Sequence, residues 1–160
     1  NHPKVKAFVS LTHGEGFGIP IFEAAYHGVP VIAPGWSGQC DFLYAPVISG
    51  KRKKAKIRPL FRRVDYTLGA IPQEVVWDGV LEAGTQWCYP TKKSSKESMR
   101  DVYTNYTRYT GMAKKLKKHI IENFTEKEQY TRFANAVIGE EESELEDWLT
   151  SFADELQVHE

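Results

Sequence analysis

Glu15 and Glu23 stand eight positions apart, on either side of Gly16-Phe17-Gly18-Ile19-Pro20, with His13 and Gly14 immediately upstream. A carboxylate is an acceptor with two oxygens, so a pair of them suits a ligand rich in hydroxyls. Gly14, Gly16 and Gly18 let the backbone turn tightly and approach a ligand closely. Pro20 occupies a first-turn position of a helix that Gly28 stops. The glycine loop therefore leads into a helix N-terminus, where unpaired N–H groups and the helix dipole favour an anion such as phosphate. The Glu15 carboxylate would repel that anion, so its partner is a neutral polyol. Glu23, one turn into the helix, again faces hydroxyls. A ligand with a central phosphate and a polyol at each end meets all of these demands, and a nucleotide sugar has that layout. Glycines before a helix merely turn the chain in many proteins, and a lone helical glutamate is usually a surface charge. The two carboxylates bracketing the turn narrow the choice.

The elements that must hold these residues follow from local pattern. Lys6 to Leu11 reads as a buried strand running into the loop, Pro20 to His27 as a short helix, and Val29 to Ala33 as a second strand closed by Pro34-Gly35. Strand, loop, helix and strand within some thirty residues make a parallel crossover unit. Gly35 to Asp41 is a turn-rich loop, and Leu43 to Ile48 is a candidate strand. The basic run and Asp65 to Leu68 have weak periodicity and read as a hairpin or an ordered loop, with Gln86 to Tyr89 a last short strand. From Ser98 the pattern is helical. Met99, Val102, Tyr106, Tyr109, Ala113, Leu116 and Ile120 form one apolar stripe, with Gly111 marking a bend. A second helix is predicted over Glu126 to Ile138, with Tyr130, Phe133, Ala134 and Val137 on one face, Thr125 as its cap and Gly139 at its end. A third, acidic helix would carry Leu145, Trp148, Leu149, Phe152 and Leu156 on one side. The expected fold class is thus α/β, a partial parallel sheet with long C-terminal helices. The 160 residues form a single domain whose portion 98–160 is helical.

Glu15-Gly16-Phe17-Gly18-Ile19-Pro20-Ile21-Phe22-Glu23-Ala24, followed by Gly28-Val29-Pro30-Val31-Ile32-Ala33, resembles the E-x7-E motif of the retaining GT-B glycosyltransferases, the family of glycogen and sucrose synthases and of many lipopolysaccharide enzymes. The likeness runs from Phe8 to about Phe42, including Gly35-Trp36-Ser37-Gly38 where the family has a glycine-rich loop beside the donor; beyond Phe42 only order and pattern agree. The resemblance implies the latter half of a Rossmann-like, donor-binding C-terminal domain. It implies that Glu15 bonds hydroxyls of the donor sugar and acts in catalysis. Gly16, Phe17, Gly18 and Ile19 would face the diphosphate or sugar, and Glu23 would hold the ribose hydroxyls. His13 is left open between a ligand contact and packing at the strand end. Trp36 and Trp87 read as core before stacking surfaces, and Asp41 as the cap of a short following helix. No metal and no cofactor beyond the nucleotide-sugar substrate is implied.

In the same comparison the acceptor domain and the opening strands of the donor domain are missing partners, and the chain, starting at Asn1, reads as a fragment. The basic pair that neutralises the leaving diphosphate in that family has no counterpart upstream, and the run after Lys51 stands in the wrong place. The expectation is that these 160 residues alone do not transfer sugar. A sheet short of its opening strands exposes an apolar edge and face, to be covered by self-association or by the C-terminal helices. The alternatives are a nucleotide-sugar epimerase of the same fold, against which the Glu15/Glu23 spacing argues, and a non-catalytic nucleotide-sugar-binding module.

Composition sets outer bounds. The net charge is zero, which gives no global pull toward nucleic acid or membrane. Charge is blocked, with a basic run over Lys51 to Arg63 and an acidic one over Glu140 to Asp147; such blocks are chiefly solvated. The basic run leaves a peripheral membrane contact open. Two cysteines, Cys40 and Cys88, are too few for a disulfide framework and read as free thiols of a reducing, cytoplasmic setting. No apolar run approaches transmembrane length and no leader opens the chain.

Overall fold

The computed structural model describes residues 4–48 and 54–138. The chain divides into two compact units, Asn1–Ile121 and Glu122–Glu160. The first is mixed α/β around a small parallel sheet. Strand β1 (Phe8–Val9), helix α1 (Ile19–Tyr26) and strand β2 (Val31–Pro34) form the expected crossover, with Phe8 opposite Val31 and Val9 opposite Ile32. In place of a buried strand over Lys6 to Leu11, however, β1 is only two residues long and part-exposed, because it lies at the sheet edge. Strand β2 begins at Val31 and takes in Pro34. All four residues of β2 are buried, as a central strand covered on both faces must be.

After β2 the chain makes a one-turn helix α2 (Cys40–Leu43), then the antiparallel pair β3 (Tyr44–Val47) and β4 (Lys56–Pro59). The strand expected to start at Leu43 begins one residue later, because Leu43 closes α2. Asp41 does not cap α2: Gln39 takes that position and Asp41 lies inside the first turn. Strand β5 (Arg62–Val64) then pairs parallel to β2, Ile32 opposite Arg62 and Pro34 opposite Val64. The sheet order is β1-β2-β5, with β1 at an edge. The basic run therefore ends in a strand of the main sheet. Two arginines on a strand are compatible with burial of Val64 because side chains alternate across it: Arg62, half-buried, is ion-paired to Asp101, and Arg63 is exposed.

Strands β6 (Tyr66–Ala70) and β7 (Gln86–Pro90) form a separate antiparallel pair. Helix α3 (Lys92–Thr104) follows, starting well before Ser98. Its first turns carry Ser94, Ser95 and Ser98, all buried, which an apolar-periodicity reading passes over. Their small side chains let the helix lie on β5 and their hydroxyls are satisfied: Ser94 Oγ accepts from Asp65 N (2.9 Å), Ser95 Oγ donates to the Thr91 carbonyl (2.9 Å), and Ser98 Oγ donates to the Arg63 carbonyl (3.2 Å). Thr91 caps α3 through Ser94 N.

The apolar stripe is shared by two helices. Val102 belongs to α3, whereas Tyr109, Ala113, Leu116 and Ile120 line the buried face of α4 (Tyr106–Asn123). The break falls at Asn105 and not at Gly111, which lies within α4 with open space around it. Ile32, Val64, Val102 and Tyr109 form a core cluster flanked by Ala7 and Met112. In the second unit, α5 (Glu126–Ile138) has the expected bounds, and Glu128 N donates to Thr125 Oγ1 at its start. Ala134 is buried on it, while Tyr130, Phe133 and Val137 are exposed. The acidic helix and Gly139 fall outside the described residues. No helix among the described residues is long and apolar enough to cross a membrane.

The apolar edge anticipated beside β1 is present. Val5, Val9 and Leu11 are exposed, and a cavity of about 360 Å³ runs along Ala7, Val9, Ile32, Met99 and Tyr103.

Candidate functional site

The Gly14–Gly18 loop is built by being pressed against the Gly35–Gly38 loop. Glu15 N donates to Ser37 Oγ (2.8 Å), and Gly38 N donates to the Glu15 carbonyl (3.1 Å). Both backbone groups of Glu15 are thus held by one partner loop. A Cβ on Gly38 would collide with the backbone carbonyls of Gly16 and Glu15, so only glycine permits this approach. Ser37 itself takes a left-handed φ of 61°, unusual for a residue with a side chain. Its hydroxyl donates to Gln39 Oε1 (3.1 Å), and Gln39 Nε2 donates to the Pro34 carbonyl (3.3 Å). Gln39 is 1% exposed, so these bonds are what make its burial tolerable.

Gly18 is the residue that turns the loop into α1, at φ 87° in the N-cap position, and Pro20 lies in the first turn as expected. The space a Gly18 Cβ would take is 3.5 Å from Glu15 Cβ, so the Glu15 side chain starts directly over the α1 N-terminus. Below it Phe17, Phe22 and Phe42 pack as an aromatic triplet with centroids 5.1 to 5.3 Å apart. Ile21 and Ala25 anchor α1 in the core, which turns Glu23 outward with Ile19 and Tyr26. Glu15 is half-buried and Glu23 exposed. Among the described residues neither carboxylate accepts a side-chain hydrogen bond or ion pair.

A scan of protein-family models matched none, and neither the curated proteins nor the solved structures gave a match. The site is therefore read from its own chemistry.

His13 faces another way from the loop it precedes. Its Nδ1 lies 2.7 Å from the Cys88 carbonyl, and Cys88 N donates to the His13 carbonyl (3.0 Å). Because a carbonyl can only accept, Nδ1 carries the proton, and Nε2 is left as the free nitrogen. The ring stacks on Trp87 at 4.6 Å and 5° and tilts against Tyr89. Trp87 is thus a stacking partner for His13, whereas half-buried Trp36 sits beside Tyr66. Cys88 is fully buried, and burial pushes its thiol up to about 11. Burial, with Asp41 second, also raises the Cys40 thiol.

A different carboxylate is fully engaged. Asp101 accepts from Tyr109 OH (2.6 Å) and Asn105 Nδ2 (2.7 Å), and Arg62 Nε is 2.9 Å away as an ion pair without hydrogen-bond alignment. The Tyr109 bond, then that from Asn105, holds the carboxyl below its ordinary value. Asp101, which the motif does not single out, is a structural strut between α3, α4 and β5. Among the described residues no group of three or more His, Cys, Asp or Glu is placed to hold a metal.

Proposed function

We propose that this chain is the nucleotide-sugar-binding part of a retaining GT-B glycosyltransferase, a Rossmann-like donor domain acting with an acceptor domain on a glycan, lipid or protein. The observation that carries the reading is the state of Glu15: its backbone is fixed at both N–H and carbonyl, its side chain leaves the backbone beside Gly18, the N-cap of α1, and its carboxylate has no side-chain partner among the described residues. A carboxylate near a helix N-terminus is stabilising in itself, by about 0.3–1 kcal/mol. What favours a ligand is that a glycine-locked loop fixes the Glu15 backbone and leaves its carboxylate without a hydrogen-bond donor among the described residues. In this reading the α1 N-terminus and the N–H groups of Phe17, Gly18 and Ile19 take phosphate or sugar. Glu15 bonds sugar hydroxyls as charge develops at the reacting carbon, and Glu23 takes ribose hydroxyls. The donor is substrate and no metal is invoked.

The test is titration calorimetry with a panel of nucleotide sugars on the wild type and on Glu23→Ala. Saturable binding that Glu23→Ala weakens supports the reading. Equal binding by both proteins, or none by either, overturns it. Binding without transfer in a protein that also carries the acceptor domain would identify a non-catalytic module, and donor epimerisation would identify the other enzyme class.

A further inference from the structure

A polar cavity of about 350 Å³, within the range of small-ligand sites, opens where β5 meets the junction of α3 and α4. Arg62, Asp101, Arg108 and Tyr109 line it, with Phe61 and Met112 as an apolar wall. None of its lining residues belongs to the glycine loop or to α1, so it is separate from the candidate donor site. Its charge is out of balance. Asp101 is the one carboxylate among the lining residues, and its two oxygens already accept from Asn105 Nδ2 and Tyr109 OH. Arg62 turns its buried Nε toward Asp101 without a hydrogen bond, and its Nη1 donates to the Arg63 carbonyl (3.1 Å). Among the described residues nothing accepts from its Nη2. Arg108, exposed, adds a second guanidinium, which lies over the Tyr109 ring at 5.4 Å. Tyr109 is buried and bonded to Asp101, so the platform under Arg108 is fixed. The Arg108 side chain makes no hydrogen bond or ion pair among the described residues. It also stands in the first turn of α4, which holds no acidic residue; there the helix dipole opposes a cation and favours an anion.

We propose that Arg62, Arg108 and the first turn of α4 form a binding site for a phosphomonoester, independent of the donor-binding reading above. A guanidinium presents its N–H groups as a fork that matches two oxygens of a phosphate at once. The Nη edge of Arg62 takes one side of the dianion and the Arg108 head the other, which offsets both arginines and the positive end of α4. Asp101 does not touch the ligand: it is a positioning residue that holds Arg62 by its Nε and leaves the outer edge of the guanidinium to the cavity. The Phe61 and Met112 wall receives the organic group that carries the phosphate. A soluble phosphomonoester and a lipid headgroup of the same chemistry both meet these demands.

The experiment compares the wild type with Arg108→Gln, the charge-keeping Arg108→Lys, and Lys114→Gln, an exposed lysine of α4 away from the cavity, as a control for general surface charge. Each is titrated by calorimetry with inorganic phosphate, glycerol phosphate and acetate. Each is also sedimented with vesicles of phosphatidylcholine alone, with phosphatidic acid, or with phosphatidylglycerol, a phosphodiester of like charge. Because Arg108 holds no hydrogen bond or ion pair in its own fold, Arg108→Gln should keep the wild-type urea midpoint. It should lower the affinity for phosphate and glycerol phosphate by about tenfold or more, through the loss of charge-assisted hydrogen bonds. Arg108→Lys should restore part of it, Lys114→Gln should match the wild type, and acetate should bind more weakly than phosphate. Recruitment to phosphatidic acid vesicles alone, lost in Arg108→Gln, supports the site with a lipid as the source. Binding of glycerol phosphate without recruitment supports it with a soluble ligand. Phosphate binding that Arg108→Gln retains in full overturns the proposal, as does acetate bound as tightly as phosphate, or a wild type that binds no phosphomonoester in either form.

Discussion

Two carboxylate clusters in the same unit put their charge to opposite use. Asp101 is surrounded by its own fold: a tyrosine hydroxyl of α4, the amide of Asn105 at the α3–α4 junction and an arginine of β5 close on it. Glu15 has the reverse arrangement, with every bond made by the backbone and none by the carboxylate among the described residues. In the first cluster the fold is built to satisfy an acid. In the second it is built to present one. Two acids in one chain differ in who supplies their donors, and it is that difference on which the role proposed for Glu15 rests.

The contrast is open to attack at several points. Glu23→Ala should weaken nucleotide-sugar binding by about one to three decades, through the loss of charge-assisted bonds to hydroxyls. It should move stability by less than ~0.5 kcal/mol, since Glu23 lies on the outward face of α1. Calorimetry beside urea unfolding checks both. Gly38→Ala, which drives a methyl into the carbonyls of Gly16 and Glu15, should cost about 1–3 kcal/mol in stability and degrade donor binding with it. A Gly38→Ala protein of wild-type stability would show that the two loops are not locked together. Asp101→Ala should destabilise by about 1–3 kcal/mol through the donors it strands, with donor affinity intact. If it weakened the ligand as much as Glu23→Ala, the separation of roles would collapse.

Acid provides a finer probe. Because the folded Asp101 carboxyl titrates below its ordinary value of 3.8, its contribution is present above that pH and is lost as pH falls through the lower folded value. Unfolding midpoints of the wild type and Asp101→Asn should therefore converge in strong acid and separate above pH 4. The smallest effect concerns the thiols. With Cys88 pushed up to about 11 and buried, and Cys40 raised as well, alkylation at pH 8 should be slow in the native protein and fast in urea.

Much of the crossover unit was legible in the sequence because it is written in local signals. The α1 bounds follow from Pro20 and Gly28, and β2 from five apolar residues between turns. The same holds for α5, whose cap and period lie within one short window. What escaped was non-local or polar. Strand β5 is short and its first two residues are arginines, so only its pairing with β2 shows it to be part of the main sheet. The start of α3 is hidden because the face it buries is serine, whose hydroxyls are satisfied by backbone from other elements. Gln39 gave no pattern at all, being a buried polar residue whose partners are a serine and a carbonyl. In the candidate site, the residue types and spacing of Glu15 and Glu23 were readable. The tie of His13 to Cys88 was not, since it joins residues seventy-five positions apart.

The face-to-face stack of His13 on Trp87 has an optical consequence. An imidazole lying flat on an indole changes that indole's emission according to its charge and distance. His13 is continuous with the glycine loop and tethered to β7 by two hydrogen bonds, so any ligand that shifts the loop alters the stack. The protein thereby carries its own fluorophore against the residue that leads into the glycine loop, and a ligand taken there as proposed should change Trp87 emission without a label.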